Sequence, residues 1–330
     1  MKPKVLVYNH ISEKLLDELA NHCHIMQATP SEVSFMEHLS SAEAIIGSGL
    51  KVNKNLVDQA PKLKFVANIS AGYDNLDLIE LNARGILATN TPDVLVETTA
   101  DLIFGLLLSA ARRIPELDQY VKSGKWNGKI PDELFGVDIN RKTLGIIGMG
   151  SIGKAVAERA HHGFQMDILY HNRSRNYAAE EELNARYESL EDLLKKSDFV
   201  CLMAPLTSET IGMMGEKEFR LMKETAIFVN GARGKLVKED ELVTALENCE
   251  ILAAGLDVYL NEPLNTKSPL LKLKNVVTTP HVASGTHETR YEMAKLAIEN
   301  LVKGLTGERP PSLINPEVLE VNPKLKFDTS

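Results

Sequence analysis

Three polar residues in the second half of the chain stand in settings that invite chemistry. They are Arg233 in Asn230-Gly231-Ala232-Arg233-Gly234, Glu262 in the tract Gly255-Leu256-Asp257-Val258-Tyr259-Leu260-Asn261-Glu262-Pro263, and His281 in Thr279-Pro280-His281-Val282-Ala283-Ser284-Gly285. A histidinium can give a proton to a carbonyl oxygen near neutral pH as hydride reaches the carbon. A carboxylate bonded to one ring nitrogen steadies a protonated imidazole and aims the other nitrogen outward. A guanidinium can clamp a carboxylate through parallel N–H bonds and polarise the carbonyl beside it. Taken singly, His281 is a structural histidine, Glu262 a turn carboxylate and Arg233 a loop cation. As an ordered set they read as a site that reduces a 2-keto acid.

Such a reduction needs a hydride donor, and upstream lies Gly148-Met149-Gly150-Ser151-Ile152-Gly153, after the apolar run Leu144 to Ile147 and before a helical stretch, Lys154 to Ala160. In this setting the first glycine allows the tight turn, the second lets the backbone approach a pyrophosphate, and the third lets helix pack on strand. N–H groups at the helix start, including those of Ser151 and Ile152, would meet the phosphate charge. The next strand ends in Asn172-Arg173-Ser174-Arg175, where an NAD site would carry an acidic residue for the ribose 2′-hydroxyl. Two guanidinium groups around a hydroxyl instead suit a 2′-phosphate, so NADP(H) is expected in preference to NAD. The other reading of this segment is a solvated turn.

The elements that must position these residues follow a repeated alternation. Apolar runs at 4–8, 44–47, 65–68 and 86–88 read as strands with helical segments between them, the first helix starting after Ser12 as its cap. A long apolar-periodic helix is expected from about Leu95 to Lys122, ending at Gly124 and reaching between domains or against a second subunit. A second array has strands at 143–147, 167–171, 198–203, 226–230, 251–255 and 276–278. Alternation of this kind predicts an α/β protein with two doubly wound parallel sheets. A length of 330 residues fits two domains, and 44% hydrophobic with 25% charged residues fits a soluble globular chain. A net charge of -8 argues against nucleic acid or an anionic membrane as partner. Cys23, Cys201 and Cys249 lack metal or redox spacing, and the histidine pairs His22/His24 and His161/His162 lack the i, i+4 spacing of a zinc motif, so no metal is expected. No long apolar leader or span stands out, and the chain reads as cytoplasmic.

The order and local settings of these motifs resemble the D-isomer-specific 2-hydroxyacid dehydrogenases over nearly the whole chain. Tracts such as Lys142-Thr143-Leu144-Gly145-Ile146-Ile147-Gly148-Met149-Gly150 and Ser284-Gly285-Thr286-His287-Glu288-Thr289-Arg290-Tyr291 bring it nearest the glyoxylate/hydroxypyruvate reductases, in the bacterial branch that also reduces 2-ketogluconate. The resemblance implies a Rossmann coenzyme domain, 101–286, inserted in a flavodoxin-like substrate domain, 1–100 with 287–330. It implies Arg233, Glu262 and His281 as catalytic residues, and Asp257 as a partner of the nicotinamide carboxamide. Pro205, Gly231 and Ser284 join the cofactor-binding set, and the N–H groups of Ala71 and Gly72 bind the substrate carboxylate. It also implies a homodimer. The chain departs from some relatives at Leu134-Phe135, where a tryptophan can reach into the partner's site, so the pocket's size stays open.

Within the superfamily, formate dehydrogenase is disfavoured because its histidine pairs with Gln, and the serine-pathway phosphoglycerate dehydrogenases by the missing acid at Asn172. A rival of another class is a nucleotide-sensing protein like the corepressors that share this fold. They can keep the same three residues, and the lack of an added interaction region here disfavours that reading. Glyoxylate, hydroxypyruvate and 2-ketogluconate are not ranked by the sequence.

Overall fold

The computed structural model describes residues 2–321, which divide into two compact units. One contains the residues up to Leu95 and from Gly285 onward; the other runs Val96–Ser284. The first unit holds β1 (Lys4–Val7), β2 (His24–Gln27), β3 (Ala44–Gly47), β4 (Phe65–Asn68) and β5 (Leu87–Thr89) in a parallel sheet of order β2-β1-β3-β4-β5. Central strands of such a sheet are covered on both faces, so they read as unbroken apolar runs, and β3 and β4 are buried along their whole length. The 20-residue helix His287–Thr306, capped by Thr286 onto the Thr289 N–H, packs on β3, β4 and β5.

The second unit holds β6 (Thr143–Ile147), β7 (Asp167–His171), β8 (Arg186–Tyr187), β9 (Phe199–Leu202), β10 (Ile227–Asn230), β11 (Ala253–Leu256) and β12 (Val276–Thr278). Their order is β12-β11-β10-β9-β6-β7-β8, every pairing parallel. From β6 the chain winds outward through β7 and β8, returns to β9, and winds the other way. The crevice outside the carboxyl ends of β6 and β9 is therefore the switch point at which α/β sheets of this kind bind ligands. One face carries a core built with the helix Val96–Ala111, including Ile103, Leu107, Ile146 and Val229; the other buries Leu193, Phe219, Phe228 and Leu246. These two units give the expected fold class, two doubly wound parallel sheets.

Two local expectations are corrected. Ser12 stands before the helix Glu13–Ala20, but its hydroxyl makes no capping bond; only its carbonyl serves, accepting from Leu15 and Leu16. The long helix expected from Leu95 to Lys122 is two helices, Val96–Ala111 and Ile114–Lys122, broken at Arg113, whose φ is 53°. Pro115 is the cause. A continuous helix would need its N–H to donate to the Ala111 carbonyl, and proline has none. Val137 supplies that donor instead, at 2.9 Å.

Candidate active site

The glycine turn leaves the carboxyl end of β6 and enters the helix Ser151–Glu158. Gly148 has φ 103°, and a Cβ there would strike the backbone of Met203 and Ala204 just beyond β9. A Cβ on Gly153 would strike the Gly148 carbonyl, whereas at Gly150 it would meet nothing within 4 Å. The first and third glycines thus close the turn, and the second leaves a bare backbone beside the helix start. This is a cradle that fits a dinucleotide pyrophosphate. Ser151 is exposed and Ile152 half-buried at the helix start.

The segment after β7 is tied to this cradle. Asn172 accepts from the Met149 N–H at 2.6 Å and donates back to the Met149 carbonyl at 3.3 Å. Its side chain therefore supports the glycine turn. Arg173 and Ser174 are exposed. Arg175, expected to meet a 2′-phosphate, already directs its fork at Glu180, with Nε to Oε1 at 2.9 Å and Nη2 to Oε2 at 2.7 Å. The sequence missed Glu180, which lies a helical turn away in the segment Tyr177–Leu183.

Loops after β10, β11 and β12 bring the three polar residues to the same carboxyl edge of the sheet. Asn230, buried at the end of β10, accepts from the Ala232 N–H through Oδ1 and donates to the Arg233 carbonyl through Nδ2, fixing the Arg233 backbone. The half-buried Arg233 donates from Nη1 to the Ala232 carbonyl at 2.8 Å. Gly231 packs its Cα against Ile103, and Gly234 packs against the Tyr259 carbonyl, so neither position has room for a Cβ.

Asp257 anchors the next two loops. Its N–H donates to the Asn230 carbonyl, and its own carbonyl accepts from the His281 N–H at 2.8 Å. Its carboxylate is fully buried and receives Thr279 Oγ1 at 2.7 Å, the Val282 N–H at 2.9 Å and the Ala283 N–H at 3.0 Å. The expectation places this carboxylate beside a nicotinamide carboxamide; in the structure it also grips the His281 loop. That grip is needed because His281 has φ 51°, a left-handed conformation unfavourable for a residue with a Cβ.

His281 Nδ1 lies 2.6 Å from Glu262 Oε2, and Glu262 Oε1 accepts from the Tyr259 N–H at 3.0 Å. The Tyr259 hydroxyl donates toward the Thr279 carbonyl at 2.8 Å; burial, reinforced by the Asp257 charge, pushes its pKa up to about 12 and keeps it a donor. The carboxylate can only accept, so Nδ1 carries a hydrogen, and Nε2 has no partner among the described residues. The His281 side chain keeps 45% of its surface open. Tyr259, Asn230 and Thr279 stand close in sequence to the three polar residues, but nothing in their spacing announces these bonds.

A dinucleotide cradle, a loop arginine and a carboxylate-backed histidine thus share one sheet edge. Residues 104–283 match the family model described as D-isomer specific 2-hydroxyacid dehydrogenase, NAD binding domain. The chain belongs to the D-isomer specific 2-hydroxyacid dehydrogenases. It is 48% identical over 322 residues to a glyoxylate/hydroxypyruvate reductase B of Klebsiella pneumoniae, covering 96% of this chain and 100% of that one. It is 46% identical over 324 residues to the protein of that name from Escherichia coli K12, covering 97% and 100%. A solved NADPH-dependent glyoxylate/hydroxypyruvate reductase from Sinorhizobium meliloti, in complex with NADP and malonate, superposes with TM-score 0.86 at 34% identity, covering 96% of this chain and 98% of that one. As a dehydrogenase of this family, the chain is an oxidoreductase that uses a nicotinamide cofactor.

The remaining expected residues have less distinctive settings. Pro205 is exposed, its carbonyl accepting from Thr210 Oγ1 at 2.7 Å, and Ser284 is half-buried. In the first unit, Ala71 and Gly72 follow β4, and Asn90 and Asn68 donate to their carbonyls at 2.8 and 3.0 Å. With the carbonyls so held, the two N–H groups have no acceptor among the described residues. Asn68 and Asn90, both buried, were not singled out in the sequence. Phe135 is exposed at the end of the turn Asp132–Leu134. Among the described residues no cluster of His, Cys, Asp and Glu could hold a metal, and no helix is long and apolar enough to cross a membrane.

Proposed function

We propose that this dehydrogenase is an NADPH-preferring reductase of small 2-keto acids, with glyoxylate and hydroxypyruvate as its first substrates and 2-ketogluconate as a larger candidate. The observation that carries the reading is the Glu262–His281 pair at 2.6 Å, on a loop locked by Asp257. Glu262 fixes the Nδ1 hydrogen, so His281 delivers its proton from Nε2 to the carbonyl oxygen. Arg233 clamps the substrate carboxylate and polarises the carbonyl; in the first unit, the N–H groups of Ala71 and Gly72 are donors suited to a carboxylate. When bound, the reduced nicotinamide supplies the hydride to C2, giving a D-2-hydroxy acid.

Gly148, Gly150, Ser151, Ile152 and Gly153 cradle the pyrophosphate in this reading, with Pro205, Gly231 and Ser284 further along the cofactor. Arg173 and Ser174 face the 2′-phosphate, while Asn172 and Asp257 act by holding the cradle and the His281 loop. Two things support the NADPH preference: no carboxylate stands at Asn172, and the Sinorhizobium meliloti relative is named as NADPH-dependent. A homodimer in the cytoplasm belongs to the same reading.

Initial rates with glyoxylate, hydroxypyruvate and 2-ketogluconate, each with NADPH and NADH, test it. Replacing His281 with Asn should lower kcat about 100-fold or more, the usual share of general acid catalysis, while the NADPH Kd changes little. A protein that binds NADPH but reduces none of the three acids would be a nucleotide sensor instead, and a His281→Asn variant with normal kcat would remove the proposed acid.

A further inference from the structure

Arg173 and Arg175 look equivalent in the sequence, yet their surroundings differ. Arg173 is exposed and makes no hydrogen bond or ion pair among the described residues. Arg175 is held in a two-point ion pair by Glu180 and lies against two rings, with its guanidinium 5.5 Å from the centre of Tyr177 and 5.9 Å from that of Tyr187. Glu180 is itself fixed from below. The Tyr170 hydroxyl, on a side chain buried in the sheet, donates to Glu180 Oε1 at 2.5 Å and accepts from the Asn176 N–H at 2.8 Å. The Arg175 and Tyr170 bonds hold the Glu180 carboxyl below its ordinary range, so it is ionised throughout the neutral region. Asn176 also donates to the Met149 carbonyl at 3.0 Å, which joins this network to the cofactor cradle.

We propose that Glu180 is a specificity-determining residue: by holding Arg175 in a closed ion pair it leaves Arg173 as the working cation for a 2′-phosphate and tempers the preference for NADPH over NADH. The proposal rests on the NADPH reading above. A paired guanidinium has its fork occupied, and the adjoining carboxylate cancels most of its field at a nearby anion. Sequence counts two positive charges beside the adenosine ribose. The structure presents one net charge, which leaves room for NADH.

The test is a charge-compensation set read by equilibrium cofactor binding, following fluorescence on titration with NADPH and with NADH at low salt. Glu180→Gln should tighten NADPH about threefold to tenfold by unmasking Arg175, and Arg175→Gln should weaken it by a similar factor by unmasking Glu180. The double variant should return to within about twofold of wild type, and NADH should move by no more than about twofold throughout. The NADPH gain in Glu180→Gln should shrink as salt rises. Melting temperatures on each variant separate a charge effect from loss of fold.

The proposal is overturned if Glu180→Gln leaves NADPH affinity unchanged, or weakens both cofactors alike as a merely structural role would. It is also overturned if Arg175→Gln costs as much NADPH affinity as Arg173→Ala with and without Glu180, for Arg175 would then touch the phosphate itself. Wild-type protein that binds NADH as tightly as NADPH, with Arg173→Ala affecting both equally, would refute the NADPH reading and this inference with it. A clear NADPH preference together with a flat 175/180 set refutes the inference alone.

Discussion

Replacing Asp257 with Asn keeps the shape of a fully buried side chain and changes only its capacity to accept. Three donors converge on this carboxylate: Thr279 Oγ1, the Val282 N–H and the Ala283 N–H. An amide offers one oxygen. If that oxygen stays toward Thr279 and Val282, the new NH2 faces the Ala283 N–H; if the amide flips, it faces the Val282 N–H. Either way one buried peptide donor loses its acceptor, at a cost of about 1–3 kcal/mol, and the surviving bonds lose their charge assistance. Removing a buried charge returns part of this. A net loss of about 2–3 kcal/mol corresponds to roughly 30- to 150-fold in the ratio of seated to unseated loop. The loop has little reserve to absorb it, because the left-handed His281 already costs about 1–2 kcal/mol. Stopped-flow and steady-state kcat with hydroxypyruvate, at saturating NADPH, should therefore fall by one to two orders of magnitude, with NADPH Kd and secondary structure little altered. A kcat within about threefold of wild type would refute this, showing that the His281 loop holds its place without the carboxylate.

Other consequences are open to simpler assays. Glu262→Gln lets the side chain offer Nδ1 either a donor or an acceptor, so the ring orientation is no longer enforced; kcat should fall about 10- to 100-fold with KM little changed, and unchanged kcat would make Glu262 a turn residue. Arg233→Ala should lower kcat/KM for keto acids roughly 100-fold or more, from two charge-assisted bonds at about 1.5 kcal/mol or more each. Arg233→Lys should recover only part of that, and full recovery would mean a point charge suffices. Asp198 ties the start of β6 to the start of β9: burial opposes its ionisation, but the Lys223 bond at 2.7 Å and the Thr143 N–H outweigh it and hold its carboxyl below the usual range. A lowered folded pKa gives stability that is present above the unfolded value, about 3.9, and is lost as pH falls through the folded one. Wild type should therefore lose its thermal advantage over Asp198→Asn below about pH 4, and a pH-independent difference would contradict the assignment.

Most of the central architecture was legible because buried parallel strands advertise themselves as apolar runs. Two strands were not. β2 and β8 lie at sheet edges, where one flank is open to solvent and polar residues such as His24, Gln27 and Arg186 are tolerated, so no hydrophobic pattern marks them. The break at Arg113 was signalled by Pro115, and the apolar periodicity on both sides concealed it. At the candidate site, residue types and their carriers could be read, including the pairing of Glu262 with His281. Partner choice among several acceptors could not. Asp257 and Arg175 look like ligand contacts by type, and only the fold shows that the first also grips a neighbouring loop and that the second pairs with Glu180.

The break at Pro115 has a consequence beyond helix geometry. Because Val137 donates to the carbonyl that Pro115 cannot reach, and Gly136 packs its Cα onto the same Ala111 oxygen, residues 112–136 leave and rejoin the unit at one point. An excursion with both feet on one spot is topologically an appendage: lengthening or shortening it leaves the register of the preceding helix and of β6 alone. Doubling such a segment adds only about 0.6 kcal/mol of closure entropy. The stretch that carries Trp126, Leu134 and Phe135 can therefore be exchanged between relatives as a cassette, with only Ala111, Gly136 and Val137 kept as the docking point.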